Sequence, residues 1–421
     1  MYLPASSAAA MNSLPPAPVS TSNPSPQDAL REQFVRPGDV MSVLLILGGD
    51  VIQRALAQLS GGPVTPVAFS FGWVTYAISA LLAAVGDNKL IPLPDSPGLV
   101  INSRSRYSRQ NNSWIVGRII RDYEFWRDAR IRQAEAAFLS KAEQGRNLQL
   151  ANDAAAAAAE KNVTVPPSAS DARPIRIALS VAVYDASPHK QAGVPDHDWL
   201  YYSGVLCAVV QLGVAAIPWG LWGDWSIMMT TAIGITFAFA SGSLPQWKAE
   251  KYKCRKGTKK TVTLTRGNGN NDCIVIIGGG FGMDMEDLAA GQGVDMPHTR
   301  IYTSIMAVLW IALLIAVSGL KENPWFLLVV GVIGMIQNVI VCGAPRRPGA
   351  FGVHIEYRKA FVGGKVMEVL QQLEEEYPRL GRSLVDTYFP GGLRPHEEVY
   401  WKEAEQKAEL AEKAEKAEKA Q

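Results

Sequence analysis

Six long apolar runs arrive in three close pairs, and lysine and arginine are concentrated on the connections between the pairs. The runs are Val40–Leu59, Val67–Val85, Trp199–Trp222, Trp225–Trp247, Ile301–Leu320 and Pro324–Cys342. Each has about 20 residues, enough for a helix rising ~1.5 Å per residue to cross a hydrocarbon core ~30 Å thick. The links inside pairs are short: Ser60–Pro66 has no charge, Gly223–Asp224 one acid, and Lys321–Asn323 one lysine and one glutamate. The pattern predicts a membrane all-α bundle of six transmembrane helices in three hairpins (40–85, 199–247 and 301–344).

The basic segments predict its orientation. Segment 86–198 carries Arg104, Arg106, Arg109, Arg118, Arg121, Arg127, Arg130 and Arg132, and segment 248–300 adds Lys251, Lys253, Arg255, Lys256, Lys259 and Lys260. Arg346 and Arg347 follow the last run. Lysine and arginine near helix ends stay in the cytoplasm, and all three segments share one side only if the number of crossings is even. Six crossings place both termini in the cytoplasm; the compartment is left open.

The segments between pairs carry structure of their own. Ser113–Glu143 has Ile115, Ile119, Tyr123 and Trp126 at helical spacing, with arginines on much of the other face. Pro174–Tyr184 reads as a strand, Lys260–Thr265 and Cys273–Ile277 as a β-hairpin about the turn Arg266–Asp272, and Gly352–Arg358 as another strand. Lys365–Tyr377 reads as an amphipathic helix. Isolated strand pairs are marginal in water, so these strands are expected to meet as one small cytosolic α/β module built from the inter-hairpin loops and region 345–394. Residues 1–39 read as disordered, Ala151–Ser170 as an alanine-rich linker and 395–421 as a solvated charged helix.

Chemistry-bearing residues are few. The first run holds Asp50, Gln53 and Arg54, and the later ones Gln211, Gln337 and Asn338. Ionisable groups at membrane depth are costly and face a partner or a wet cavity. These six form the candidate intramembrane polar cluster, which either lines a permeation path or holds helices together by hydrogen bonds of ~1 kcal/mol each. The glycine turn Gly278–Gly282 lacks the third glycine of a dinucleotide fingerprint, because Met283 stands there, and Asp284, Glu286 and Asp287 repel phosphate. Four scattered cysteines and five histidines give no metal-ligand spacing. No catalytic residue, cofactor or metal is assigned, and a net charge of +2 gives no case for nucleic acid. Ser113–Arg132 suits either anionic lipid or packing on the module. The sequons at Asn111 and Asn162 are expected to stay unmodified.

The runs FGWVTYAISALLAAVGDNKL (Phe71–Leu90), NSWIVGRIIRDYE (Asn112–Glu124), GFGMDMEDLAAG (Gly280–Gly291), GLKENPWFLLVVGVIGMIQN (Gly319–Asn338) and YPRLGRSLVDTYFPG (Tyr377–Gly391) resemble uncharacterised multi-pass membrane proteins of filamentous ascomycete fungi. The resemblance covers roughly residues 39–392 and implies an integral membrane protein of a fungus, with no activity attached. Two functions follow from the residues: a non-enzymatic membrane scaffold whose module binds a cytosolic protein partner, or a small transporter or channel using Asp50 and Arg54.

Overall fold

The computed structural model describes residues 48–86, 89–159, 175–320 and 322–418. The expectations for residues 1–39, for residues 40–47 of the first run and for Asn162 lie outside the described residues.

The chain opens with two short helices, α1 (Gly49–Leu59) and α2 (Trp73–Val85). Strands β1 (Leu99–Asn102) and β2 (Ser108–Gln110) follow, then α3 (Trp114–Arg121), α4 (Tyr123–Trp126) and the long α5 (Ala129–Ala159), and then β3 (Leu179–Ala186). Helices α6 (Trp199–Trp222), α7 (Ser226–Gly242) and α8 (Pro245–Lys251) lead to β4 (Lys256–Thr258), β5 (Thr261–Thr265), β6 (Asp272–Ile277) and β7 (Gly282–Met283). The rest comprises α9 (Met285–Ala289), α10 (Pro297–Ser318), α11 (Pro324–Gly343), β8 (Ile355–Gly363), α12 (Val366–Glu376), α13 (Leu380–Tyr388) and α14 (Pro395–Glu418).

Four helices are long and apolar enough to cross a membrane: α6, α7 continued by α8, α10 and α11. Local chemistry sets their ends. The Asp198 carboxylate accepts the Tyr201 amide at the start of α6, and Gly223 closes α6 in the left-handed conformation that glycine adopts without strain. Pro297 and Pro324 sit in the first turns of α10 and α11, where a missing N–H costs nothing. Large apolar side chains of α6 and α10 stay exposed along their length, among them Leu206, Val209, Val308 and Ile315. Exposed Trp219, Trp222, Trp225 and Trp325 stand at one end of these helices, and Trp199, Tyr202 and Tyr302 at the other.

The second run differs from the sequence expectation. Residues 63–70 have no regular structure, so Val67–Val85 is not one helix, and the helix begins only at Trp73. Pro66 lacks an amide hydrogen and pushes Thr65 out of the helical region. With 13 residues, α2 is too short to span ~30 Å.

The strands do meet. A six-stranded mixed sheet has the order β2-β1-β5-β6-β3-β8, antiparallel except for β3 against β6. A parallel pair needs a crossover, and here α6, α7 and α8 lie between β3 and the β5–β6 pair; α10 and α11 lie between β6 and β8. The long apolar helices are thus inserted between neighbouring strands of one sheet.

One sheet face is covered by α12, α13 and Trp401 of α14 around Val181, Val183, Val275 and Phe361. The other is covered by α3, α4, α9 and Phe351 around Ala182, Tyr184, Leu264 and Ile274. Trp401 is buried, so α14 is anchored at its start rather than solvated throughout. Trp114, Ile115, Ile119 and Tyr123 are also buried, which leaves Phe125 as the exposed aromatic of Ser113–Arg132. The Asn111 side chain is buried too, folded back on the Ser113 backbone.

Candidate functional site

Of the six polar residues singled out in the apolar runs, the structure gathers two around the irregular segment. Thr65 to Val74 are all buried, and the extended backbone there has no neighbouring strand among the described residues to satisfy it. Asn338 of α11 takes that role. Its Nδ2 donates to the Ala68 carbonyl at 3.0 Å and its Oδ1 accepts the Ala68 amide at 3.2 Å, the two-bond exchange that a strand partner would supply. Gln211 of α6 donates from Nε2 to the Phe69 carbonyl at 2.7 Å and to the Val330 carbonyl at 2.8 Å. The Trp73 indole adds a bond to Ala68 O at 2.9 Å.

Glycines clear the path. A Cβ at Gly334 would overlap the Phe69 carbonyl, one at Gly204 the Pro66 carbonyl, and one at Gly331 or Gly234 the rings of Phe71 or Phe69. Phe69 and Trp73 stack on Trp310, with centroids 6.2 and 5.4 Å away. The polar and glycine content of three helices is therefore matched to one buried stretch of chain.

The other four residues stand apart. Gln337 donates to Ser203 Oγ at 2.7 Å and Gln53 to the Leu90 carbonyl at 2.9 Å. Asp50 and Arg54 are exposed on α1, and among the described residues they form no ion pair with each other. Sequence reasoning missed the role of the glycines, although Gly204, Gly234, Gly331 and Gly334 recur in runs that have no need of them as helices.

Beneath the bundle, basic side chains close the ends of two helices. Lys251 Nζ donates to the carbonyls of Ala57 at 2.7 Å and Ser60 at 2.6 Å, at the end of α1. Arg346 grips both oxygens of Asp198 at 2.7 and 2.9 Å, donates to Gln58 O at 2.5 Å, and gives its own amide to Asp122 at 3.0 Å. Arg118 donates to Cys342 O at 2.9 Å at the end of α11, stacks on Trp114 and lies 3.2 Å from Asp95. Orphan carbonyls and the negative helix end both favour cations there. Burial brings Arg118 down to about 10, with Asp95 opposing the shift, so it remains charged at neutral pH. These contacts join the module to the bundle.

A cavity of about 890 Å³ opens beside this junction, between the start of α6, the exit of α11 and β8. Trp126, Asp196, Trp199, Arg347, His354 and Glu356 are in its wall. Lys190 pairs with Asp196 at 2.7 Å, and His354 Nε2 lies 2.9 Å from the Val194 carbonyl. The glycine turn after β6 is a tight reversal, with Gly279 and Gly280 at φ 55° and 92°. Asp284 caps α9 there and is held by Arg255 and Lys260. Among the described residues no group of histidine, cysteine and acid side chains is placed to hold a metal. Compared with known proteins, the chain matches no family model, no curated protein and no solved structure.

Proposed function

We propose that this is an integral multi-pass membrane protein that acts as a non-enzymatic scaffold, holding an α/β module against the cytosolic face for a protein partner. The observation that carries this reading is the fixed junction: buried Arg118, Lys251 and Arg346 tie the module to the ends of the bundle helices, so it is presented in one orientation. The two aromatic girdles at opposite ends of the long helices fit the two interfaces of a bilayer. The module side carries the basic segments, which supports a cytosolic placement with α6/α7 and α10/α11 as two hairpins. The resemblance to fungal multi-pass proteins agrees with this class.

The cleft beside Arg347 and His354 is the docking position we favour for the partner, since it lies at the membrane surface with both charged and aromatic walls. Contact with anionic lipid would fall to Phe125 and the outward arginines Arg130 and Arg132. The transporter reading needs a polar path, whereas the Gln211 and Asn338 amides are bonded to the protein backbone.

Reconstitution tests this. The protein in sealed vesicles is expected to add no ion or proton flux above protein-free vesicles. Flux that disappears in the Asp50→Leu/Arg54→Leu double variant, with folding intact, would replace the scaffold by the transporter.

A further inference from the structure

We infer that residues 60–86 form a re-entrant element, which enters the bilayer from the module side, turns at Phe69–Trp73 and leaves on the same side. The inference rests on where the two ends and the apex touch helices of known direction.

The near end is at the module. Ser60 O is bound by Lys251, a Cβ at Gly61 would meet the Tyr252 ring, and one at Gly62 would lie 3.6 Å from His197. The far end of the element is also there. Arg300, in the first turn of α10, donates to the Ala84 carbonyl at 3.1 Å, and Lys89 donates to Gly291 O at 3.1 Å. The apex is deep: Phe69 O is bonded to Gln211, and Trp73 stacks on Trp310. Gln211 lies 12 positions into α6 (211 − 199), or roughly 18 Å at ~1.5 Å per residue, about half of the bilayer thickness.

The energetics agree with this path. Non-helical backbone survives at membrane depth only where protein surrounds it or water reaches it. Thr65 to Val74 are buried in protein, with the Phe69 carbonyl taken by Gln211 and the Ala68 carbonyl by Asn338 and Trp73. The returning limb α2 has 13 residues, roughly 20 Å, which suits half a crossing with some tilt and not a whole one. Hence α6, α7, α10 and α11 are the full crossings of the described chain. The link Ser60–Pro66 lies on the module face, where the six-span arrangement would put it on the opposite one.

The test is sidedness in sealed vesicles, with a membrane-impermeant maleimide and single cysteines at Val64, Leu93 and Trp222 in a chain stripped of its native cysteines. All three side chains are exposed, Leu93 at the module and Trp222 at the other end. Val64→Cys and Leu93→Cys are expected to label from one side and Trp222→Cys from the other. Labelling of Val64→Cys together with Trp222→Cys would overturn the inference, as would labelling of Val64→Cys only after solubilisation. If removal of the native cysteines prevents folding, a protease site inserted between Pro63 and Val64 reads the same sidedness by the side from which it is cut.

Discussion

Two buried extended stretches of this chain solve the same problem in opposite ways. Strand β3 runs between β6 and β8, and residues Ser180 to Asp185 have a backbone partner on both sides. Residues 63–70 have comparable burial from Thr65 onward but no strand beside them among the described residues, and side-chain amides on helices make bonds there instead. A ladder tolerates many sequences, because every residue brings its own donor and acceptor. An amide-supported segment depends on particular residues at particular heights: Gln211, Asn338 and the glycines that admit the backbone. The bundle core should therefore be far less tolerant of point changes than the sheet.

The largest effect is expected where the extended segment touches a helix with no clearance. Gly334→Leu puts a side chain into the Phe69 carbonyl, and the cost should be about 4 kcal/mol or more, seen as loss of monodisperse protein in detergent. Gly213→Ala on α6, where a Cβ meets nothing nearby, should change stability by less than about 1 kcal/mol. Equal tolerance at the two glycines would break the comparison.

Next comes the junction. Arg346→Ala leaves Asp198 and the Gln58 carbonyl without their cation in a buried place, which should cost about 3–5 kcal/mol in thermal or denaturant unfolding. Gln211→Leu removes two bonds and strands the Phe69 carbonyl, at about 1–3 kcal/mol in the same measurement. A comparable loss from a conservative apolar exchange in β3 would show that the sheet is as exacting as the bundle.

The smallest effect is on pH. Asp287 is held below the ordinary carboxylate range by hydrogen bonds from Arg255; for Glu286, burial pulls upward but bonds from Asn102 and Lys260 win and lower it. Both groups have folded values below their unfolded ones, so their stabilisation is complete above the ordinary carboxylate range. It is lost as pH falls through the depressed folded values. Acid titration of unfolding should show this loss, and Arg255→Ala should flatten the part due to Asp287.

How legible each region was in the sequence follows from the same contrast. In the module, turn chemistry and helical spacing marked the β5–β6 hairpin and α12 near their observed limits, whereas β3, expected over 174–184, starts only at Leu179. In the bundle, Val67–Val85 is apolar whatever its backbone does, so hydropathy could not separate a helix from an extended stretch buried on all sides. Pro66 and Gly72 carried the signal, and so did glycines more than a hundred residues away. Asn338 and Gln211 were visible as unusual residues, but their purpose was not, since the backbone they bind lies far off in sequence. The junction was hidden for a similar reason: Arg118, Lys251 and Arg346 read as members of basic segments, while their acceptors are helix-end carbonyls that no composition displays.

Amide hydrogen exchange at Ala68 in lipid nanodiscs tests the central claim most directly. The amide is held by the Asn338 side chain at 3.2 Å, so its protection should fall at least about tenfold in Asn338→Leu while amides in the middle of α6 keep theirs. Protection at Ala68 that does not respond to the loss of Asn338 would mean that this amide is bonded within a continuous helix, and would contradict the account.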